Sequence, residues 1–273
     1  MQRIYVMNVM PLLDISMREE ALDFMEEERR RHLSALKPER SKAQSVGAGL
    51  LLAYAVNMAG EPAAGDPAMS DFTVSALTAD AIAASDPAAS DPTTGGLAES
   101  DFAAGERGPV ISEDSSYEEV SLSDVLSALK NAVPQRRNNF KIERTSTGKP
   151  YFSNCDHLYF NLSHSGEYAA CVLADHEVGV DIQKVQGAAA VRRIAPRILH
   201  AGEAAYREEE SMLYRIWTIK EAYVKATGEG IRRDFRKIRV DFEKGTVEDM
   251  PFTLWESIPG YTLAVCHASS PSH

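Results

Sequence analysis

The sequence predicts an α+β fold, in which helices and short antiparallel strands occur in runs. Segments with two-residue alternation and segments with helical periodicity do not follow the strict strand–helix order of parallel α/β proteins. The chain of 273 residues is 44% hydrophobic, which is enough to bury a substantial core. Its length fits one large domain or two small ones.

The N-terminal half contains two kinds of segment, apolar alternating runs and longer amphipathic runs. Pro38 supports a helix start, because a residue without an N–H is tolerated in the first helical turn. Serine and aspartate near the start of a later segment suit helix capping. The predicted elements are a strand at 4–9, helices at 18–36, 38–57 and 122–129, and short strands at 140–143, 151–152 and 158–162.

Residues 60–116 differ sharply in composition from the rest of the chain. They are rich in Ala, Asp, Ser and Pro and contain one arginine and no lysine. Such a segment buries too little apolar surface to offset about 1–2 kcal/mol of backbone entropy per ordered residue. We expect a disordered or weakly helical insert, tolerated at the surface, and an alternative is a dedicated binding arm.

The C-terminal half again mixes helices and strands without strict alternation. The predicted elements are strands at 168–174 and 178–185, helices at 188–198 and 208–227, and strands at 238–242, 252–255 and 261–267.

Composition limits the classes of function. A net charge of -11 argues against a general nucleic-acid-binding protein, so any phosphate site should be local. No apolar run is long enough to span a bilayer, and no secretory leader is evident. Cys155, Cys171 and Cys266 lack metal-ligand spacing, so we expect reduced thiols in the core of a cytoplasmic protein.

The strand predicted at 178–185 carries an unusual acidic residue. Alternation places Val178, Val180 and Ile182 on one face, and Asp181 on the other beside Gln183. A carboxylate within an apolar strand is costly to bury unless a cation or hydrogen bonds compensate it. Asp181 therefore predicts a local charged or metal-binding site.

The helix predicted around Trp217 supplies a second carboxylate and two lysines, at Lys220, Glu221 and Lys225. From spacing alone, Glu221 and Lys225 could simply form an exposed ion pair worth a few tenths of a kcal/mol. With Asp181, however, Glu221 could hold Mg²⁺, which one or two carboxylates bind together with substrate phosphates. We expect these carboxylates and lysines to meet at one point and to favour metal-assisted phosphoryl transfer.

Two short motifs upstream carry groups suited to phosphate. Lys149 and Pro150 lie in a Gly-Lys-Pro turn, and Ser163 and His164 end a predicted strand within Asn-Leu-Ser-His-Ser-Gly. Each motif is weak by itself, because a Gly-Lys-Pro sequence is usually only a turn and a single histidine is usually structural.

Taken in order, these four motifs closely resemble those of the larger, surfactin-synthetase type of 4′-phosphopantetheinyl transferase. The resemblance covers most of the chain outside residues 60–116. It implies a pseudo-dimer of two similar α+β halves, residues 1–165 and 166–273, with coenzyme A bound in the cleft between them.

The resemblance also implies roles for individual residues. Asp181 and Glu221 would bind Mg²⁺ against the coenzyme A pyrophosphate, and Lys220 and Lys225 would lie by the phosphates or support the site. Many relatives have an acid at Gln183, whose amide oxygen could still ligate the metal or hold a metal-bound water. The residues expected to hold the nucleotide end with its 3′-phosphate are Lys149, Pro150, Ser163 and His164, with Arg29, His32 and Ser45 as further candidates in several possible registers.

The implied reaction transfers 4′-phosphopantetheine from coenzyme A to a serine of an apo acyl or peptidyl carrier protein and releases adenosine 3′,5′-bisphosphate. Glu221 would accept the serine proton, directly or through a water, and Lys225 would neutralise the leaving group. We expect a monomer that binds neither nucleic acid nor membrane and presents an apolar or basic rim to an acidic carrier helix. The alternatives are a non-catalytic coenzyme A- or carrier-binding module and a structural domain with surface ion pairs.

Overall fold

The structure, a computed structural model, describes residues 1–25, 30, 33, 38–59, 116–132, 140–230 and 233–268. The strands are β1 (Gln2–Asn8), β2 (Glu118–Val120), β3 (Ile142–Arg144), β4 (Pro150–Phe152), β5 (Tyr159–Ser165), β6 (Tyr168–Ala174), β7 (Val178–Lys184), β8 (Val240–Asp241), β9 (Thr246–Val247), β10 (Met250–Trp255) and β11 (Tyr261–His267). The α-helices are α1 (Ile15–Leu22), α2 (Glu39–Ala59), α3 (Leu122–Asn131), α4 (Ala188–Ile198) and α5 (Glu210–Thr227). The predicted α+β class is confirmed.

Two main sheets organise these elements. The first has the strand order β2-β1-β6-β5, and the second has the order β7-β11-β10-β9-β8, while β3 and β4 form a separate pair. The long helix α2 packs on the first sheet, and α5 packs on β7 and β11 of the second. Strands β5 and β7 are edge strands, and they lie next to each other where the sheets meet.

Alternation along the strands divides the apolar residues into three clusters. One cluster joins α2 to the first sheet, and another joins α4 and α5 to the second. The third lies between the sheets and includes Val6 and Val172 from the first with Val180, Ile182 and Val265 from the second. The two sheets are therefore held together by a shared apolar layer.

The turn after β5 adds a polar connection between the sheets. Its Glu167 accepts hydrogen bonds from Lys184 Nζ at 2.8 and 2.7 Å, and it also contacts Arg40 of α2. Tyr261 of β11 donates its hydroxyl to the same carboxylate. Elements from both sheets thus converge on one side chain.

Some of the helices and boundaries predicted from the sequence differ from those in the structure. The helix predicted at 18–36 is wrong as one element, because α1 ends at Leu22 with Asp23 as its C-cap; aspartate and phenylalanine at this point are poor helix formers. The expected boundary at Ser165–Gly166 falls in the β5–β6 turn, inside the first sheet, and the chain reaches the second sheet only at β7. Residues 60–115, and with them nearly all of the insert, lie outside the described residues.

All three cysteines are buried, as expected for core residues. Within the described ranges, no helix is both long and apolar enough to cross a membrane.

Candidate functional site

Strand β7 presents its polar residues to helix α5. Val178, Val180 and Ile182 face the apolar layer between the sheets, which confirms the predicted alternation. On the opposite face, a Cβ atom at Gly179 would overlap the backbone of Ala222 and Ala226. The glycine therefore allows β7 and α5 to approach closely, and it brings the next residue on that face, Asp181, against the helix.

Asp181 is fully buried, with 0% of its surface exposed, and its carboxylate accepts hydrogen bonds from three side chains. Its Oδ1 accepts a hydrogen bond from Lys225 Nζ at 2.6 Å and another from Ser163 Oγ at 2.8 Å. Its Oδ2 accepts one from Gln183 Nε2 at 2.9 Å. These contacts compensate the buried charge, as the position of an acid within an apolar strand predicted.

Glu221 precedes Lys225 by one helical turn, so both lie on the same face of α5. Glu221 is only 7% exposed, and the Lys225 ammonium bonds to Asp181 and Ser163. The alternative of an exposed Glu221–Lys225 pair is therefore wrong.

Lys220 does not join this group. Its side chain is 0% exposed, and its Nζ donates to Glu203 at 2.6 Å and to the carbonyl of Ile198 at 2.7 Å. The expectation that both lysines point to one site is wrong, because five residues along an α-helix turn Lys220 well away from Lys225. Burial lowers the pKa of Lys220, and Glu203 opposes that shift.

Glu203, the partner of Lys220, was not predicted from the sequence. It lies in the 3₁₀ helix Ala201–Glu208, and its carboxylate also accepts the backbone N–H groups of His200 and Val240, each at 2.8 Å. A capping box with His200 was the available signal, because an acid three residues after a capping side chain often reaches back to it. Glu203 and Lys220 together fix the 3₁₀ helix and β8 against α5.

The Gly-Lys-Pro turn contacts the C-terminal end of α5. Lys149 Nζ donates to the carbonyl of Ala226 at 2.6 Å and pairs with Glu177. A cation at this position complements the negative end of the helix dipole. Pro150 is buried at the start of β4.

His164 lies beside the Asp181 group on β5. Burial of the ring and, second, the positive charge of Lys225 lower its pKa to about 4, so the imidazole is neutral at pH 7. Its Nδ1 atom is buried and has no hydrogen-bond partner within the described part of the chain. Ser45 is buried in α2, whereas Arg29 and His32 lie outside the described residues.

The oxygen donors around Asp181 suit a hard cation. Asp181 and Glu221 provide two carboxylates, and Gln183 provides an amide oxygen, which are ligand types that Mg²⁺ uses. The Lys225 ammonium at Asp181 indicates that a positive charge is accepted at this point. Within the described residues, no group of three or more His, Cys, Asp and Glu side chains is arranged for a metal, so a metal site here would depend on these two acids and on substrate oxygens.

Helix α4 exposes a basic surface a few residues beyond Gln183. Arg192, Arg193 and Arg197 are exposed on this helix, whose sequence contains no acidic residue. Arg192 lies 3.6 Å from a carboxylate oxygen of Glu208. The resemblance implied an apolar or basic rim at an unspecified place, and the arginines of α4 provide one candidate.

Comparison with known proteins identifies the family of this segment. Residues 177–266, which include Asp181, Glu221 and Lys225, match the family model described as the 4′-phosphopantetheinyl transferase superfamily. This segment of the chain therefore resembles the 4′-phosphopantetheinyl transferases.

Individual proteins similar to this chain are also named as 4′-phosphopantetheinyl transferases. The chain is 29% identical over 142 residues to the 4′-phosphopantetheinyl transferase gsp of Aneurinibacillus migulanus, covering 47% of this chain and 58% of that protein. It is 26% identical over 164 residues to Sfp of Bacillus subtilis (strain 168), covering 54% and 72%. It is 43% identical over 88 residues to AcpT of Salmonella typhi, covering 30% and 46%. The matches thus span between 46% and 72% of the length of these relatives.

Proposed function

We propose that this protein transfers 4′-phosphopantetheine from coenzyme A to a serine of an apo acyl or peptidyl carrier protein and releases adenosine 3′,5′-bisphosphate. The observation that carries the proposal is the buried contact of Asp181 with Lys225, beside Glu221, inside the segment that matches the family. A coenzyme A site between two similar halves, a monomeric state and a cytoplasmic location complete the proposal.

In the proposed reaction, the carrier serine oxygen forms a bond to the β-phosphorus of coenzyme A, and the bond from that phosphorus to the bridging oxygen of the nucleotide breaks. Mg²⁺ held by Asp181 and Glu221, with Gln183 as a third candidate ligand, would neutralise charge on the pyrophosphate. Glu221 accepts the serine proton, directly or through a water. Lys225, whose ammonium contacts Asp181, stabilises the departing oxygen.

The nucleotide end should contact residues at the meeting of the two sheets. We propose that Lys149, Pro150 and His164 bind this end, together with Ser45, Arg29 and His32. The unpartnered Nδ1 of His164 supports its role, because a buried imidazole nitrogen without a partner can bond to a phosphate group. The buried bond of Lys220 with Glu203 favours a supporting role for Lys220 over a phosphate contact.

The carrier should dock on the arginines of α4. Their charge complements an acidic carrier helix, and the helix follows β7 after a short connection, so a carrier bound there would lie near Asp181. Substitution of Arg193 and Arg197 by glutamate should raise the KM for the carrier about tenfold and leave the KM for coenzyme A within twofold. An unchanged KM for the carrier would contradict docking at α4.

Intact-mass analysis tests the whole proposal. Several apo carriers are incubated with the protein, coenzyme A and Mg²⁺, and one of them should gain the mass of phosphopantetheine. Asp181→Asn and Glu221→Gln should reduce the rate at least a thousandfold while the protein remains folded. Glu243→Gln, an exposed acid of the same half, is the matched control and should act normally. Binding of coenzyme A without modification of any carrier would favour the non-catalytic alternative.

A further inference from the structure

An unusual set of contacts joins the edge strands β5 and β7. Three N–H groups of β7 that face away from β11 bond to β5 side chains: Val180 to Asn161 Oδ1 at 3.0 Å, Ile182 to Ser163 Oγ at 3.3 Å and Lys184 to Ser165 Oγ at 3.0 Å. The partners are 19 positions apart in every case, so the two strands run parallel. Side chains therefore replace the backbone hydrogen bonds that would otherwise join two edge strands.

Ser163 differs from the other two because it makes more than this contact. Its hydroxyl donates to Asp181 Oδ1 at 2.8 Å and accepts from Lys225 Nζ at 2.9 Å, in addition to accepting from Ile182 N–H. A serine hydroxyl has one donor and two acceptor positions, so all three are used within the protein. The side chain is also 1% exposed. Ser163 thus retains neither hydrogen-bonding capacity nor surface for a ligand.

We propose that Ser163 is a positioning residue, which orients the Asp181 carboxylate and the Lys225 ammonium, rather than a contact to the nucleotide end of coenzyme A. The hydroxyl connects β5, β7 and α5 at the single point where the two reactive side chains meet. This inference rests on the proposed function for its kinetic consequences. The interaction of Ser163 with Asp181 can be tested whether or not the protein catalyses this reaction.

A kinetic comparison of Ser163→Ala with Ser165→Ala tests the role. Both variants remove one hydroxyl that accepts a β7 N–H, but only Ser163 contacts Asp181. Ser163→Ala should lower kcat at least tenfold and change the KM for coenzyme A less than threefold. Ser165→Ala should keep kcat within twofold of the wild type. Equal losses of kcat in the two variants would overturn the proposal.

A second substrate separates positioning from a phosphate contact. With 3′-dephospho-coenzyme A, Ser163→Ala should show the same fold-loss of kcat as with coenzyme A. A residue that bonds to the 3′-phosphate would instead lose activity with coenzyme A alone, which is the pattern expected for His164→Ala. A loss in Ser163→Ala confined to coenzyme A would overturn the positioning role.

Unfolding experiments test the coupling without any activity. In a double-mutant cycle, the shifts in urea midpoint of Ser163→Ala and Asp181→Asn should be clearly non-additive, because their side chains touch. The cycle of Ser165→Ala with Asp181→Asn should be additive. Equal coupling in both cycles would overturn the inference. A wild-type protein that modifies no carrier would instead reject the proposed function, and the cycles would still decide the role of Ser163.

Discussion

The two long helices occupy similar places on their sheets, but they bury different chemistry. Helix α2 covers the first sheet mainly with alanine, valine, leucine and glycine, and its buried positions also include Ser45 and Tyr54 but no charged residue. Helix α5 covers the second sheet and buries Lys220 and Glu221, while Lys225 reaches the buried Asp181. The interface of α2 buries mainly apolar side chains, as most protein cores do. The interface of α5 also buries charged groups, which costs free energy unless they are paired. This difference indicates where the protein performs chemistry.

Both interfaces use a glycine for close approach, but they place it differently. Gly47 lies on α2, where a Cβ would overlap the side chain of Val9, and Gly179 lies on β7, where a Cβ would overlap the α5 backbone. A side chain can shift, but a helix backbone moves only as a unit. The position of α5, and of its functional residues, is therefore defined more strictly than that of α2.

The largest effect should come from the buried pair of the second interface. Lys220→Met should lower the free energy of unfolding by about 3–5 kcal/mol, because it leaves the charge of Glu203 buried without its cation. Urea unfolding followed by circular dichroism measures this change. Lys244→Met, an exposed lysine in the same half, is the control and should change stability by less than about 0.5 kcal/mol.

Replacement of both partners sharpens this test. Lys220→Met combined with Glu203→Leu should be more stable than Lys220→Met alone, because no buried charge then lacks a partner. A double variant that is less stable than the single variant would indicate that the Glu203 carboxylate stabilises the fold mainly through the N–H groups of His200 and Val240.

The glycines provide the next test of the comparison. Gly179→Ala should destabilise the protein by about 3 kcal/mol and Gly47→Ala by about 1 kcal/mol, because only the former must displace a helix backbone. Gly179→Ala should also lose at least tenfold in transfer activity at a temperature where it is folded. Equal effects of the two substitutions on stability and activity would remove the proposed difference between the interfaces.

A smaller effect is expected at Gln183. Its amide N–H donates to Asp181, so Gln183→Glu would place two carboxylates together and should cost about 1 kcal/mol of stability in EDTA. Mg²⁺ should restore more stability to this variant than to the wild type, since a further anion strengthens cation binding. Thermal unfolding with and without Mg²⁺ measures both changes, and Gln186→Glu, at an exposed position, is the control.

Activity should change little in Gln183→Glu, because Asp181 and Glu221 already supply two carboxylates. A gain of orders of magnitude would mean that the native site is incomplete.

The sequence predicted many of the helices and strands and the buried acid of β7. Apolar periodicity predicted the bounds of α4 and β11, and the acid within the apolar run of β7 identified Asp181. The partner of Lys220 was not predictable from spacing, because Glu203 reaches it from a 3₁₀ helix through tertiary packing. Ser163 was predicted as a ligand donor, and only the neighbouring edge of β7 reveals that it and two other polar side chains of β5 accept backbone N–H groups.

The smallest predicted effect is a pH-dependent change in stability caused by His164, which lies on β5 where the two sheets meet. The pKa of His164, about 4 in the folded protein, lies below the ordinary value of 6.5 because burial and Lys225 disfavour the charged ring. As the pH falls, the imidazole therefore binds a proton in the unfolded chain before it does so in the folded protein. The contribution of the neutral imidazole to stability is complete above about pH 6.5 and decreases toward pH 4. Between pH 7 and pH 5 the wild type should lose about 1 kcal/mol more than His164→Gln, after allowance for partial exposure. His157→Gln, at an exposed histidine, should follow the wild type. Identical pH dependence of the wild type and His164→Gln would contradict this prediction. It would mean that burial of the ring and the charge of Lys225 do not lower the pKa of His164.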